Sequence, residues 1–143
     1  VLVCEPGSEV EATTRLARIG FDNVVGFLAE PMQVMAENPE RVEQASRLTV
    51  EQLREVLTNT PDVQLVDIRN PGELAVGSIE PAAFLPLGSL AMQLDQLDPA
   101  RPTVVYCAGG YRSSAGASLL RTHGFEDVSD LLGGYAAWEA MPA

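Results

Sequence analysis

The chain has 143 residues, 46% of them hydrophobic and 20% charged, which is typical of one globular domain or of one domain and a fragment. Its formal net charge is −11 and its nine basic residues are scattered arginines, so it lacks the clustered cations that a nucleic acid or an anionic membrane surface requires. Two distant cysteines and one histidine form no metal-binding motif, and no apolar run approaches the roughly 18–20 residues of a membrane span. We therefore expect no metal, no nucleic-acid partner and no membrane partner.

Residues 1–30 predict a β-α-β unit. An apolar segment, Val1–Val3, precedes a helical pattern over residues 9–19, and Gly20 is placed to end that helix. A second apolar segment follows at Asn23–Phe27. Such a unit has too little core to be stable alone, so we expect it to pack on a second domain, on another chain or on an upstream domain.

This first unit repeats a later part of the chain in degenerate form. The segment Leu16–Val24 aligns with Leu120–Val128, and a one-residue gap places Cys4 opposite Cys107. No arginine follows Cys4 at the matching distance, and its acidic neighbours, such as Glu5, would repel an anionic substrate. We interpret Cys4 as a structural or incidental cysteine.

Residues 31–45 are interpreted as a linker, since Asn38–Pro39 favours a turn and a polar run follows it. From residue 46 onward short strands alternate with helices, which predicts a parallel sheet covered on both faces. The predicted organisation is therefore a half-domain at 1–30, a linker at 31–45 and an α/β domain at 46–143.

The α/β domain is predicted to contain five strands, namely 47–48, 63–68, 82–85, 104–106 and 128–131. Thr49 is placed as the N-cap of a first helix, with Gln52 as its capping-box partner. Leucines spaced three or four residues apart over 87–97 predict one amphipathic helix. Further helices are predicted over 113–123 and from Gly133 to beyond Trp138.

The segment 104–114 contains the candidate nucleophile. An apolar strand ends at Cys107, the loop Gly109–Gly110 follows, and an alanine-rich helical pattern begins next. A tight loop that opens a helix directs backbone amides and about half a positive charge towards one point. Such surroundings lower a cysteine pKa from about 8.5 to roughly 3.5–7.5, so we predict that Cys107 is a nucleophile.

The residues Cys107 to Ser113, in the pattern Cys-x-x-Gly-x-Arg-Ser, resemble the active-site loop of rhodanese-type sulfurtransferases. Three further stretches resemble this family in the required order: Leu65–Arg69 with Pro71 and Glu73, then Gly77–Leu87, then Gly124–Trp138. The resemblance covers about residues 46–143. It implies an α/β fold with a doubly wound, parallel, five-stranded sheet, preceded here by the β-α-β half-domain.

The resemblance also implies a reaction. Cys107 would take sulfane sulfur from thiosulfate or a small-molecule persulfide as a cysteine persulfide, and would pass it to a thiol or cyanide acceptor. No cofactor would be required. Because the motif needs a free thiol, we expect a reducing compartment, the cytoplasm.

The loop is predicted to bind the donor. Arg112, whose planar guanidinium suits oxyanions, would neutralise the thiolate and grip the donor. Gly109 and Gly110 are predicted to adopt positive φ so that their amides converge on the sulfur. The remaining predicted substrate-binding residues are Ala108, Tyr111 and Ser113.

Three further residues have two interpretations each. Ser113 caps the following helix together with Ser114, and it also has the chemistry to donate to the sulfur. Asp67 and Arg69 lie at the carboxyl end of the second strand, where parallel sheets place ligands. The resemblance implies that this pair supports the loop, whereas the sequence alone is equally compatible with a surface ion pair.

Two other functions stay open. One is a non-enzymatic rhodanese-like module that senses oxidation or carries sulfur on Cys107 to one partner protein. The other is a cysteine phosphatase or arsenate reductase, which is less favoured because these enzymes need one more residue between cysteine and arginine. In this chain Ser113 stands at that position.

The expected partners follow from the resemblance. They are a small-molecule sulfur donor and a thiol acceptor. Tandem copies also resemble the C-terminal part of proteins that join a metallo-β-lactamase-type domain to rhodanese domains, so such an upstream domain is a candidate partner. A homodimer through the N-terminal half-domain is a further candidate.

Overall fold

The structure is a computed structural model that describes residues 1–18 and 20–141, and the chain divides into two units, Val1–Gln44 and Ala45–Ala143. In the first unit Leu2 and Phe27 form a single parallel bridge, so the two predicted strands are shorter than expected. Helix α1 spans Glu9–Ala17. The predicted end of this helix, Ile19, lies outside the described residues.

The segment predicted as a linker contains regular structure. Helix α2 spans Pro31–Glu37, and a 3-10 turn spans Pro39–Arg41. Both belong to the first unit.

The internal repeat is visible in the backbone. The bridge between Leu2 and Phe27 has the same sequence separation as the parallel pair Thr103 and Val128. Gly20 and Gly124 also take nearly the same left-handed conformation after their helices, with φ of 91° and 89°. The first unit therefore follows the strand–helix–strand geometry of the second.

The second unit contains the five-stranded parallel sheet that was predicted. Its strand order is β1-β5-β4-β2-β3, formed by β1 (Ser46–Leu48), β2 (Gln64–Asp67), β3 (Ala83–Phe84), β4 (Thr103–Tyr106) and β5 (Val128–Leu131). Strand β4 lies in the middle. Cys107 therefore emerges at the centre of the carboxyl edge, where open α/β sheets bind ligands.

Helices cover both faces of the sheet, which confirms the doubly wound fold. They are α3 (Val50–Asn59), α4 (Leu87–Leu90), α5 (Tyr111–Thr122) and α6 (Gly134–Ala140). Successive side chains of β4 point to opposite faces, so Val105 packs with Leu90 and Leu120, and Val104 packs with Leu53 and Leu131. The predicted capping box of Thr49 and Gln52 is confirmed at the start of α3.

Two helix predictions are wrong in their bounds. The leucine repeat over 87–97 does not form one helix, because α4 ends at Leu90 and a separate 3-10 turn spans Leu94–Gln96. Leu90 and Leu97 both reach the core, so the leucine spacing reports burial rather than a continuous helix. Helix α5 begins at Tyr111 rather than Ser113, because Gly110 turns the chain with φ 85°.

No helix in the described part of the chain is long and apolar enough to cross a membrane.

Candidate active site

Cys107 lies directly after β4 and is 1% exposed. Its Sγ accepts a hydrogen bond from the amide of Gly110 at 3.2 Å, and it lies 3.6 Å from Oγ of Ser113 in the first turn of α5. The left-handed turn at Gly110 folds its N–H back towards the sulfur. The thiol therefore faces backbone donors near the N-terminus of a twelve-residue helix.

The opposite side of this loop is held by α6. The amides of Tyr135 and Ala136 donate to the carbonyl oxygens of Cys107 and Ala108 at 2.7 and 3.0 Å. A Cβ at Gly134 would collide with the same two carbonyl groups, so only glycine allows this approach. With these carbonyls engaged by α6, the following amides are available to the sulfur.

The pKa of Cys107 is lower than that of an ordinary cysteine. Burial raises this pKa. The Ser113 hydroxyl and the amides of Ser113, Gly110 and Gly109 together lower it by a larger amount, because they stabilise the thiolate. The loop therefore favours an ionised sulfur.

Arg112 forms a bidentate ion pair with Glu73. Its two terminal nitrogens donate to the two carboxylate oxygens at 2.8 and 2.7 Å, and both side chains are about one-third exposed. The Arg112 pair and the amide of Asn70 lower the pKa of Glu73 to about 2. Glu73 raises the pKa of Arg112, and Cys107 contributes in the same direction. Glu73 belongs to the motif that includes Leu65–Arg69 and Pro71, but it was not among the predicted site residues.

Asp67 and Arg69 form a buried ion pair, so their interpretation as a surface pair is wrong. Each side chain is 1% exposed, and Nη2 of Arg69 lies 2.6 Å from Oδ2 of Asp67. The hydroxyl of Tyr106 donates to Asp67 at 2.8 Å and accepts from the Ile79 amide at 3.1 Å. Burial and the Asp67 contact raise the pKa of Tyr106, which therefore stays protonated.

This buried pair supports the segment that carries Glu73. Arg69 donates to the carbonyl oxygens of Glu73 and Gly77 at 3.3 and 2.7 Å, and its guanidinium stacks on Tyr135 at 4.2 Å. Glu73 lies in the 3-10 turn Pro71–Val76. Arg69 thus fixes the turn, and the turn places Glu73 against Arg112.

A second chain of contacts lies behind Ser113 and was missed by the sequence analysis. The Ser113 hydroxyl donates to Oδ2 of Asp130 at 3.2 Å. Arg47 donates to both oxygens of Asp130 at 3.0 and 2.9 Å, and to the carbonyl of Gly110 at 3.2 Å. These contacts depend on the strand register, in which Arg47 on β1 pairs with Asp130 on β5. The sequence alone does not give that pairing.

The other predicted site residues have different positions. Gly109 does not share the left-handed conformation of Gly110, so the prediction of positive φ is wrong for Gly109. Tyr111 begins α5 and is 89% exposed at the rim of the loop. Ser113 and Ser114 lie inside α5, so they do not cap it.

Among the described residues, no group of histidine, cysteine and acidic side chains could hold a metal ion. The site is therefore built from a buried thiol, backbone amides and paired charges at the carboxyl edge of a parallel α/β sheet. The fold and the site together define an α/β protein with a buried thiol in a loop at the carboxyl edge of its sheet. Residues 49–141 match the family of rhodanese-like domains, and the chain belongs to that family.

Two named relatives and one solved structure are similar to this chain. The chain is 41% identical over 96 residues to the thiosulfate sulfurtransferase GlpE of Shewanella oneidensis, covering 67% of this chain and 94% of the relative. It is 39% identical over 88 residues to a sulfurtransferase of Allochromatium vinosum, covering 62% and 82%. The crystal structure of a rhodanese-like domain protein from Staphylococcus aureus superposes with a TM-score of 0.61 at 30% identity, covering 65% of this chain and 90% of that one.

Proposed function

We propose that the chain is a sulfurtransferase that carries sulfane sulfur as a persulfide on Cys107. The observation that carries this proposal is the contact of Sγ with the Gly110 amide at 3.2 Å, next to Ser113 and at the start of α5. A thiol with a lowered pKa in such a loop is a nucleophile. The names of the similar sulfurtransferases support the same reaction class.

The proposed first step is attack of the Cys107 thiolate on the outer sulfur of thiosulfate. A bond forms between the two sulfur atoms, the sulfur–sulfur bond of thiosulfate breaks, and its electron pair leaves with sulfite. With a glutathione persulfide donor, the glutathione thiolate leaves instead. The terminal sulfur of the Cys107 persulfide then carries the negative charge, and the amides of Gly109 and Gly110, which lower the pKa of the Cys107 thiol, are proposed to stabilise it.

In the second step an acceptor thiolate or cyanide attacks the outer sulfur. The bond to Cys107 breaks, its electron pair returns to the cysteine thiolate, and the acceptor leaves as a persulfide or as thiocyanate. Neither step uses a cofactor. The cycle needs a free thiol, so we place the protein in a reducing compartment such as the cytoplasm.

Arg112 is proposed to bind the anionic part of the donor. Glu73 occupies one N–H on each terminal nitrogen, and a guanidinium has five N–H groups, so the arginine keeps further donors for sulfonate oxygens. Glu73 also fixes the direction of the guanidinium, because the pair is bidentate. Ala108 and Tyr111 are proposed to line the same entrance.

The test is intact-mass spectrometry after incubation with thiosulfate or with glutathione persulfide. We expect the protein to gain one sulfur atom, which cyanide removes. The Cys107→Ser variant should gain none, and the matched Cys4→Ser variant should behave like the unmodified protein. Gain of sulfur in the Cys107→Ser variant, or no gain in any form, would contradict the proposal.

The same protein samples distinguish the proposed function from the two other functions. Hydrolysis of a generic aryl phosphate that depends on Cys107 would indicate a phosphatase. Stable sulfur uptake without turnover of a small acceptor would indicate a carrier module that serves one partner protein.

A further inference from the structure

An ion pair lies behind the nucleophile and is joined to it by one hydroxyl group. Asp130 on β5 is 1% exposed, while Arg47 on the edge strand β1 is partly exposed. The Ser113 hydroxyl lies between Asp130 Oδ2 at 3.2 Å and Cys107 Sγ at 3.6 Å. A chain of four side chains therefore runs from solvent to the reactive sulfur.

We propose that Arg47 and Asp130 are positioning residues that decide whether the hydroxyl hydrogen of Ser113 is donated to Asp130 or to the sulfur of Cys107. The proposal builds on the proposed function only in taking Cys107 as the nucleophile. It holds for any sulfur donor.

Ser113 has one hydrogen to donate and two acceptors for it. When Cys107 is a thiol, S–H donates to the Ser113 oxygen and the Ser113 hydroxyl donates to Asp130. When the thiol loses its proton to solvent, the sulfur becomes an acceptor only, and the hydroxyl must turn from Asp130 to the sulfur to stabilise it. Asp130 therefore competes with the thiolate for one hydrogen bond.

Arg47 weakens that competition. Its guanidinium donates to both oxygens of Asp130, so the buried carboxylate keeps donors when Ser113 turns away. Arg47 also donates to the carbonyl of Gly110, the residue whose N–H binds the sulfur. Without Arg47, Asp130 would hold the serine hydrogen and the thiolate would lose that donor.

The other charged groups around the thiol are paired with each other. Near the loop these groups are Arg112 with Glu73 and Asp67 with Arg69, and Tyr106 is bound to Asp67. None of these groups shares a hydrogen bond with Ser113 in the described part of the chain. The Arg47–Asp130 pair is thus the charged pair that acts on the sulfur through a hydroxyl.

The test is the pH dependence of thiolate absorbance in the ultraviolet, in a Cys4→Ser background that leaves one thiol. Asp130→Asn should raise the thiolate-to-thiol ratio at a given pH by about fivefold, the equivalent of one hydrogen bond. Arg47→Gln should lower it by about the same factor, and Arg47→Lys should restore most of the loss. Arg101→Gln is the matched control, because Arg101 binds the Asp62 carbonyl beyond the opposite end of β4 and should change nothing.

The Ser113→Ala variant tests whether Arg47 and Asp130 act on the sulfur through the Ser113 hydroxyl. Both shifts should largely disappear in that background, since the hydroxyl that links the pair to the sulfur is gone. Thermal unfolding identifies any variant that fails to fold, and Asp130→Ser replaces Asp130→Asn in that case. Shifts in the same direction for the Asp130 and Arg47 variants, no shift in folded variants, or shifts that persist without Ser113 would overturn the proposal. These results do not depend on sulfur transfer, so they are distinguishable from failure of the proposed function.

Discussion

Substitution by alanine should destabilise the protein at Gly110 and leave its stability almost unchanged at the adjacent Gly109. Gly110 has φ 85°, and a Cβ there would lie 2.8 Å from the backbone nitrogen of Gly133. The left-handed backbone costs about 1–2 kcal/mol for alanine, and backbone atoms cannot yield to the close contact without moving the loop. We expect Gly110→Ala to lower the free energy of unfolding by about 2–3 kcal/mol, which is about 10–20 °C in Tm for a domain of this size.

Gly109→Ala is the matched control. Its Cβ would meet no atom within 4 Å, and its φ is outside the left-handed region, so we expect a Tm within about 3 °C of the unmodified protein. The assay is thermal unfolding followed by circular dichroism. Because the Gly110 amide binds the sulfur, Gly110→Ala should also raise the pKa of Cys107 in the ultraviolet titration. Equal Tm values for the two variants, or a larger loss for Gly109→Ala, would refute this account of the loop.

Three other perturbations test the surroundings. Tyr106→Phe leaves the buried amide of Ile79 without its acceptor. The free energy of unfolding, measured by denaturant titration, should therefore fall by about 2–3 kcal/mol. The pKa of Glu73 is about 2, below its ordinary value, so its pair with Arg112 stabilises the fold above about pH 4.5 and this contribution is lost as the pH falls towards 2. Glu73→Gln should remove that acid dependence, and it should lower the free energy of unfolding at neutral pH by about 1 kcal/mol, because solvent screens the partly exposed pair. An unchanged dependence of the free energy of unfolding on acid pH would contradict this prediction. Residues 45–143 expressed alone should unfold cooperatively by calorimetry, because both core clusters lie within them; a non-cooperative transition would contradict this.

Much of the fold of the second unit was predictable because its signals are local. The apolar run before Asp67 and the apolar run before Cys107 are continuous enough to indicate buried parallel strands. The capping box at Thr49 was also visible in the sequence. The helix over 87–97 was wrong, since a leucine every three or four residues also arises when two short turns face the same core.

The candidate site was predictable only in part. The Cys-x-x-Gly-x-Arg-Ser spacing identified Cys107 and Arg112, because the loop and the helix start are consecutive in the chain. Glu73, Asp130 and Arg47 reach the loop from other strands and turns. Their contacts depend on strand order and register, which no local pattern specifies.

The first unit carries a loop that resembles the Cys107 loop but has different hydrogen bonds. Cys4 and Gly7 have the spacing of Cys107 and Gly110, and the two glycines have φ of 86° and 85°. In the Cys107 loop the Gly110 amide binds the cysteine sulfur at 3.2 Å, whereas the amide of Gly7 donates to the carboxylate of Glu9 at 3.0 Å. This amide lowers the pKa of Glu9. The Glu9 carboxylate therefore occupies the N–H group that would otherwise be available to stabilise a thiolate.

Exposure and reactivity should therefore separate in this protein. Cys4 is more exposed than Cys107. In its loop, however, the Gly7 amide is already bound to Glu9, and the acidic residues Glu5 and Glu9 stand in place of an arginine. We expect a prolonged incubation of the Cys107→Ser variant with glutathione persulfide to leave Cys4 without sulfur, as read by mass after blocking of persulfides with an alkylating reagent. Persulfide on Cys4 at a rate similar to that on Cys107 would show that access alone governs the reaction, and would remove the role assigned to the loop amides.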